Sequence, residues 1–327
     1  MTYLETLLEM IEIGVSKLLA RHDYSDVAVI LPAHNEEIGV GVTTEGFLKS
    51  LPGCSVFVCN NGSTDATSEV AELAGAVVIN EDMVGKGNAV RRLLTSVNAK
   101  IYVMADADLT YDADMSKEMV DLLERDNLDM VTGVRIHNDS SAYRSGHILG
   151  NKVFNWLFRG LFDTKTKDVF SGYRVFSQRF ARVLSIRSKG FEVEAEISAL
   201  AAILGVAVGE RNVPYSPRLS GSHSKLKTYS DGYKILRTYI SMIKNFHPKR
   251  FYGFFAVLIG FTSICFGTPV IFTYIETGLV PRLPTAILAS SLGIVSMLAL
   301  LVGIVLEAIA KFRIEQRQLF LLSQKSR

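Results

Sequence analysis

Two uncharged runs near the C-terminal end restrict this chain more than any other feature. Tyr252–Tyr274 and Thr285–Leu306 contain no Asp, Glu, Lys or Arg. Each would form a helix of about 30 Å or more, long enough to cross a bilayer. One such run could be the core helix of a soluble domain, but two in tandem point to a membrane hairpin. The runs also account for a mean hydropathy of +0.24. Basic residues orient the hairpin. Lys244, Lys249 and Arg250 precede the first run, Lys311, Arg313 and Arg317 follow the second, and the connection carries Arg282. The positive-inside rule then puts both chain ends on the cytoplasmic side. Glu307 lies four residues before Lys311, a spacing that allows an ion pair near the interface. Pro269 is expected to kink the first helix.

Upstream, short apolar runs alternate with helical patterns. Val27–Leu31, Val56–Cys59, Ala76–Ile79, Ile101–Ala105 and Met130–Thr132 read as strands. Continuous apolar strands separated by helices predict an α/β domain with a mostly parallel, doubly wound sheet. Residues 3–20 read as an amphipathic helix, with Leu4, Leu7, Leu8, Ile11, Val15, Leu18 and Leu19 near one face. It could cover the main domain, a second subunit or the membrane, and self-association through it is one expectation. The predicted organisation is an N-terminal helix (1–24), an α/β domain (25–230), a basic amphipathic helix (231–250), two membrane helices within 251–311 (about 252–274 and 285–309) and a tail (312–327). A formal net charge of +2 gives no bulk signature of nucleic-acid binding. Cys54, Cys59 and Cys265 form neither a zinc spacing nor a disulfide framework. Glu5, Glu9 and Glu12 occupy the region where a signal peptide would be basic, so no signal peptide is expected.

The polar motifs fall at the ends of predicted strands, where sheets of this kind bind ligands. Pro32-Ala33-His34-Asn35-Glu36-Glu37 leaves the first strand, and Asn60-Asn61-Gly62-Ser63-Thr64-Asp65 leaves the second. Asp65 is expected chiefly to cap the following helix. Asp106-Ala107-Asp108 follows Ile101–Ala105, and two carboxylates one residue apart can hold a divalent cation against a diphosphate. Gly85-Lys86-Gly87-Asn88 precedes a helix expected to begin near Ala89; glycines admit close backbone approach and a helix start favours anions, with a plain turn as the alternative. Asp168-Val169-Phe170-Ser171-Gly172-Tyr173-Arg174 places a carboxylate and an arginine in one irregular segment. There Arg174 could clamp a phosphate and Asp168 could act as a base or orient a cation. Arg218–Lys225 reads as a basic, mobile phosphate-binding loop. Val153–Phe162, with the only tryptophan, Trp156, reads as core or as an interfacial helix.

In that order the motifs Val-Ile-Leu-Pro-Ala-His-Asn-Glu-Glu, Asn-Asn-Gly-Ser-Thr-Asp, Gly-Lys-Gly-Asn-Ala, Asp-Ala-Asp, Ser-Gly-Tyr-Arg and Ser-Lys-Leu resemble family-2 glycosyltransferases of GT-A fold. They are most similar to the polyprenyl-phosphate glycosyltransferases, the group containing dolichol-phosphate mannose synthases and undecaprenyl-phosphate glucosyltransferases. The resemblance implies inverting transfer of a sugar from a nucleotide diphosphate sugar to a polyprenyl phosphate, assisted by Mg²⁺ or Mn²⁺, at the cytoplasmic face of the inner membrane. Carried over by motif, Pro32, His34, Glu36, Asn60 and Lys86 would bind the nucleotide. Asp106 would lie by the ribose and the metal, with Asp108 on the metal. Asp168 and Arg174 would flank the reacting centre. Arg135, Arg144, Arg218, Ser224 and Lys225 would bind acceptor or donor phosphates. Asn60-Asn61 stands where many relatives have two aspartates, and Thr110 where mannose synthases often have Gln. The resemblance to a branch with polyprenyl-phosphate galacturonate synthases favours a UDP-sugar over a GDP-sugar. The Gln-x-x-Arg-Trp motif of processive polysaccharide synthases is absent. The intact Asp pair and Arg174 argue against a non-catalytic membrane scaffold.

Overall fold

The computed structural model describes residues 23–137, 145–162, 164, 166–217 and 228–323. The predicted N-terminal helix and the positions of Arg144, Arg218, Ser224 and Lys225 lie outside them. The chain divides into two compact units at Asp231/Gly232.

The first unit carries seven strands: β1 (Val27–Ala33), β2 (Ser55–Asn60), β3 (Val77–Asn80), β4 (Ile101–Met104), β5 (Met130–His137), β6 (Arg174–Ser177) and β7 (Val208–Tyr215). They form one sheet in the order β3-β2-β1-β4-β6-β5-β7. All neighbours are parallel except β6, which runs antiparallel to both β4 and β5. The central strands are apolar throughout because both sheet faces are covered. Val29, Ile30 and Leu31 of β1, and Val103 and Met104 of β4, are fully buried. Parallel pairing of β1 with β2 (Ala33 opposite Asn60) and with β4 (Ile30 opposite Met104) brings three C-terminal strand ends to one rim.

The strands depart from the sequence reading in two ways. β1 runs two residues past Leu31, and β5 runs on to His137, while β4 stops at Met104. β6 and β7 carry little sequence signal. β6 is four residues long and begins with Arg174. β7 includes Glu210, Arg211 and Asn212 and is largely exposed at the sheet edge. Neither offers a clean period-two pattern.

The covering helices are α1 (Val40–Ser50), α2 (Thr67–Leu73), α3 (Lys86–Ser96), α4 (Met115–Arg125), α5 (Ser145–Phe162), α6 (Gln178–Val183) and α7 (Val193–Leu204). In α5, Phe158 and Phe162 are buried and Trp156 is exposed, so the aromatic run contributes one face to the core.

The second unit holds most of α8 (Thr228–Phe246), with α9 (Pro248–Thr277) and α10 (Leu283–Ser323). The helices α9 and α10 are long and apolar enough to cross a membrane, and their outer residues, such as Phe261, Ile271, Met297 and Leu301, are exposed. They pair through small residues. Ser263 Oγ donates to Ala289 O at 2.7 Å, Ser296 Oγ donates to Ala256 O at 2.8 Å, and a Cβ on Gly303 would lie 3.1 Å from Tyr252 Cβ. This is the close packing that lipid-facing helices require in place of a hydrophobic drive. α9 is assigned as one helix across Pro269. α10 continues through the region predicted as tail, to Ser323. Glu307 accepts a hydrogen bond from the Lys249 backbone N–H (3.2 Å), so it serves an otherwise unpaired donor at the start of α9 instead of pairing with Lys311.

Candidate functional site

The rim where β1, β2 and β4 end opens into a cleft of about 260 Å³. Pro32, Ala33, His34 and Glu36 line it from β1 and its loop, and Asn61 lines it from the loop after β2. Val84, Gly85, Lys86 and Ala89 contribute from the start of α3, and Asp106, Ala107 and Asp108 from the end of β4. Phe191, just before α7, closes the set.

The first two loops are locked to each other. His34 Nδ1 lies 2.8 Å from the Asn61 backbone oxygen. Glu36 N donates to Thr67 Oγ1 (2.9 Å), and Thr64 N donates to Asn35 Oδ1 (2.7 Å). Asp65 accepts from Thr67 N (3.1 Å) and Glu37 N (3.3 Å), so it ties the two loops together, while the N-cap of α2 is Ala66, with no side-chain cap bond, instead of the Asp65 cap expected. The two asparagines divide. Asn60 is turned to the neighbouring strand: its amide donates to Asn80 Oδ1 (3.1 Å) and its Oδ1 accepts from Ser63 N (3.0 Å). Asn61 faces the cleft, donates to the carbonyls of Glu81 and Met83, and accepts from Gly85 N at 2.6 Å. The expectation that Asn60 lines the pocket is therefore corrected to Asn61, because adjacent residues leaving a strand point to opposite sides.

The Gly-Lys-Gly segment also has a different cause from the one expected. A Cβ on Gly85 would lie 2.1 Å from Lys189 O, and one on Gly87 would lie 2.2 Å from Ser188 O. Gly87 N donates to Lys189 O at 3.0 Å. The glycines make room for residues 188–189, and Gly85 also lines the cleft. Glu196 fixes that segment by accepting from Arg187 N (3.0 Å) and Ser188 N (2.8 Å). Between the two glycines Lys86 reaches across the cleft floor. Its Nζ is ion-paired with Asp106 and with Glu194 Oε1, the latter at 2.5 Å, and sits 5.9 Å from the centre of the Phe191 ring. Burial alone would push the Lys86 ammonium pKa down. The two carboxylates outweigh that and raise it, so Lys86 stays charged. Glu194 is 4% exposed, and burial raises its carboxyl pKa. Its Oε2 has no hydrogen-bond partner among the described residues.

Glu194 escaped the sequence reading. The signal available was a glutamate inside Val193–Leu204, a helix otherwise nearly all apolar and buried. Such a charge needs a partner or a use.

Asp108 is 3% exposed, yet it lines the cleft. Thr110 Oγ1 donates to its Oδ1 at 2.6 Å, and Thr110 N donates to the same atom at 3.2 Å. Leu109 between them has φ of +61°, a conformation that costs a branched side chain about 1 kcal/mol or more and that tends to be retained at functional sites. Gly39 lets the β1 loop approach: a Cβ there would lie 2.9 Å from Ala107 O. The carboxylates of Asp106 and Asp108 make a hard oxygen donor pair, in a cleft that Glu36 and His34 also line. It fits a small divalent cation that takes its remaining ligands from phosphate and water. No cluster of three or more His, Cys, Asp or Glu side chains occurs among the described residues.

On the β5–β6 side, Asp168 is 7% exposed and gripped by Arg135. Nε donates to Oδ2 at 2.7 Å and Nη2 to Oδ1 at 2.8 Å. Burial pushes the Asp168 carboxyl pKa up, but Arg135 outweighs it and holds the carboxyl below the usual carboxylate range. A carboxylate held this way orients Arg135, and is poorly suited to taking a proton. The Arg135 guanidinium also stacks 5.5 Å from the Tyr215 ring centre. Arg174 corrects another expectation. It is fully buried, with Nε on Ser171 O (2.9 Å) and Nη2 on Val169 O (2.7 Å), Glu194 O (3.1 Å) and Ser198 Oγ (2.9 Å). Burial lowers its pKa to about 10. Arg174 braces the segment beneath the cleft and cannot clamp a phosphate from there. The Ser171-Gly172 segment is the link: a Cβ on Gly172 would lie 3.0 Å from an Asp106 carboxylate oxygen.

The chain is similar to known proteins in sequence and in fold. Residues 28–184 match the family model "Glycosyl transferase family 2". The glycosyltransferase AglJ of Haloferax volcanii is 30% identical over 248 residues, which is 74% of this chain and 78% of AglJ. A dolichyl-phosphate hexose transferase of the same organism is 25% identical over 224 residues, 68% of this chain and 96% of that protein. Among solved structures, glucosyl-3-phosphoglycerate synthase of Mycobacterium tuberculosis, in complex with Mn²⁺, uridine diphosphate and glucosyl-3-phosphoglycerate, superposes with a TM-score of 0.56. It is 19% identical, covering 67% of this chain and 81% of the synthase, so that likeness is one of fold.

Proposed function

We propose that this chain, which belongs to glycosyl transferase family 2, moves a hexose from a nucleotide diphosphate sugar to the phosphate of a polyprenyl lipid, with inversion at the anomeric carbon. A UDP-sugar is favoured over a GDP-sugar. The observation that carries the reading is the pair Asp106 and Asp108 in the cleft where β1, β2 and β4 end, in a chain that also bears two membrane-length helices. Relatives lend support: one is named as a dolichyl-phosphate hexose transferase, and a fold neighbour binds UDP and Mn²⁺.

In this reading Pro32, His34, Glu36 and Asn61 hold the nucleoside, Asn61 replacing Asn60. Asp106 and Asp108 would hold Mg²⁺ or Mn²⁺, which would supply charge compensation to the diphosphate leaving group. Arg135, aligned by Asp168, meets the acceptor phosphate, with Arg144, Arg218, Ser224 and Lys225 assigned to phosphates by motif. The acceptor oxygen attacks the anomeric carbon as the bond to the donor diphosphate breaks, and the electron pair leaves with the nucleoside diphosphate. A phosphate monoester has its second pKa near ~6, so the acceptor oxygen is already anionic and needs no base. That agrees with an Asp168 committed to Arg135. The positive-inside pattern supports a reaction at the cytoplasmic face.

The test offers purified protein radiolabelled UDP- and GDP-sugars with undecaprenyl phosphate and Mg²⁺ or Mn²⁺. A labelled, mild-acid-labile product extracted into organic solvent from one UDP-sugar is the expected result. Label found only in water-soluble product with every donor would reject the lipid acceptor.

A further inference from the structure

Lys86 sits between two carboxylates that differ in kind. Asp106 lines the cleft, while Glu194 is not among the residues lining it and is sealed from solvent. The Glu194 side chain keeps one oxygen on Lys86 and leaves the other, Oε2, without a hydrogen-bond partner among the described residues. A carboxylate kept for packing or fold alone would satisfy both oxygens, since an unpaired buried acceptor is costly. Glu194 is nevertheless firmly placed: its backbone oxygen accepts from Arg174, and its helix starts against the Glu196-fixed segment. Its second oxygen is an unpartnered acceptor on the same carboxylate that already holds the Lys86 ammonium.

Charge says when that acceptor would be used. Asp106, Asp108 and Glu194 against Lys86 leave two net negative charges, and Glu36 on the cleft wall adds a third, a field that favours a divalent cation. A divalent cation arriving at Asp106 meets Lys86 already on that carboxylate, and the two positive charges repel. Lys86 must release Asp106 without losing its own compensation.

We infer that Glu194 is a positioning residue that draws Lys86 off Asp106 when a divalent cation binds, and keeps the ammonium under the cleft as a further counter-charge to the donor diphosphate. This rests on the metal-assisted reading of Asp106 and Asp108. Glu194→Gln keeps the shape and removes the charge, so Lys86 then competes for Asp106 at full strength. Lys86→Met removes the competitor.

The experiment titrates the full-length protein in detergent with Mn²⁺, without donor, and counts free Mn²⁺ by electron paramagnetic resonance. Four proteins are compared: wild type, Glu194→Gln, Lys86→Met and the double variant. Glu194→Gln should bind Mn²⁺ about tenfold more weakly. Lys86→Met should bind more tightly than wild type. The double variant should return to within about threefold of wild type, a rescue that a merely structural glutamate would not give. Unchanged affinity in Glu194→Gln, or a double variant as weak as Glu194→Gln, overturns the inference while leaving the metal site standing. Should Glu194→Gln not fold, Lys86→Met decides alone, and affinity equal to or below wild type overturns it. A wild-type protein that binds no Mn²⁺ overturns the metal reading and the inference together.

Discussion

Two cations in this molecule, half-buried Lys86 and fully buried Arg174, meet the same residue and serve opposite ends. Lys86 touches the Glu194 side chain and reaches forward to Asp106 at the cleft. Arg174 touches the Glu194 backbone oxygen and turns back into the fold, onto neutral carbonyls and a serine hydroxyl. The region around Lys86 holds charge against charge and opens to a ligand. The region around Arg174 holds charge against dipoles and is closed. The number of polar contacts therefore does not mark a functional residue. What separates the two regions is whether the partners can exchange for a ligand.

The comparison can be broken by substitution. The largest effect belongs to the open region: Asp108→Asn should lower turnover by about 100-fold or more while leaving the thermal midpoint within a degree or two of wild type. A steady-state assay beside a melting curve reads both, and unchanged turnover would remove Asp108 from the metal site. Arg174→Met should do the reverse. It removes the Arg174 donors from Ser171 O, Val169 O and Glu194 O, the last two of which keep only Ser198 Oγ as a side-chain donor, and should cost about 3 kcal/mol of stability, measured by denaturant titration of the detergent-solubilised protein. A stable but inactive Arg174→Met protein would return Arg174 to the reacting centre.

Asp168 gives an effect of middle size, and it depends on pH. Its folded carboxyl pKa is held below the ordinary value, burial opposing and Arg135 prevailing. The stability it adds is complete above the unfolded value of about 4 and is lost as pH falls through the lowered folded value. Melting temperatures from pH 6 to pH 3 should therefore fall more steeply for wild type than for Asp168→Asn. Parallel curves would show that the Arg135 pair adds nothing. The smallest effect is expected at Asn60. Asn60→Ala should change UDP affinity less than about threefold, whereas Asn61→Ala, which loses three bonds around the cleft loops, should change it more. Equal losses would place both amides at the nucleoside.

Much of the open region could be read from the sequence. β1, β2 and β4 are apolar runs that end in polar motifs, and parallel pairing brings those ends together. The closed region could not be read this way. Whether Arg174 faces a ligand or a carbonyl depends on β6 and α7 meeting, and β6 is too short to announce itself. Asn60 and Asn61 differ only in which side of a strand end they leave, a choice fixed by register. Gly85 and Gly87 looked like a ligand loop because glycine marks close approach without saying what approaches. Glu194 was hidden in a helix whose charge pattern has no surface period. The hairpin was legible because length and lack of charge decide it locally, although its second helix runs on past the predicted end.

The central claim is that the cleft takes a nucleoside diphosphate through a divalent cation on Asp106 and Asp108. Isothermal titration of UDP into the wild-type protein and into Asp108→Asn, each with and without Mn²⁺, tests it most directly. The account predicts that Mn²⁺ tightens UDP binding to wild type by about tenfold or more and leaves Asp108→Asn unaffected. UDP binding that is indifferent to Mn²⁺ in wild type, or equally enhanced by it in Asp108→Asn, would contradict the account.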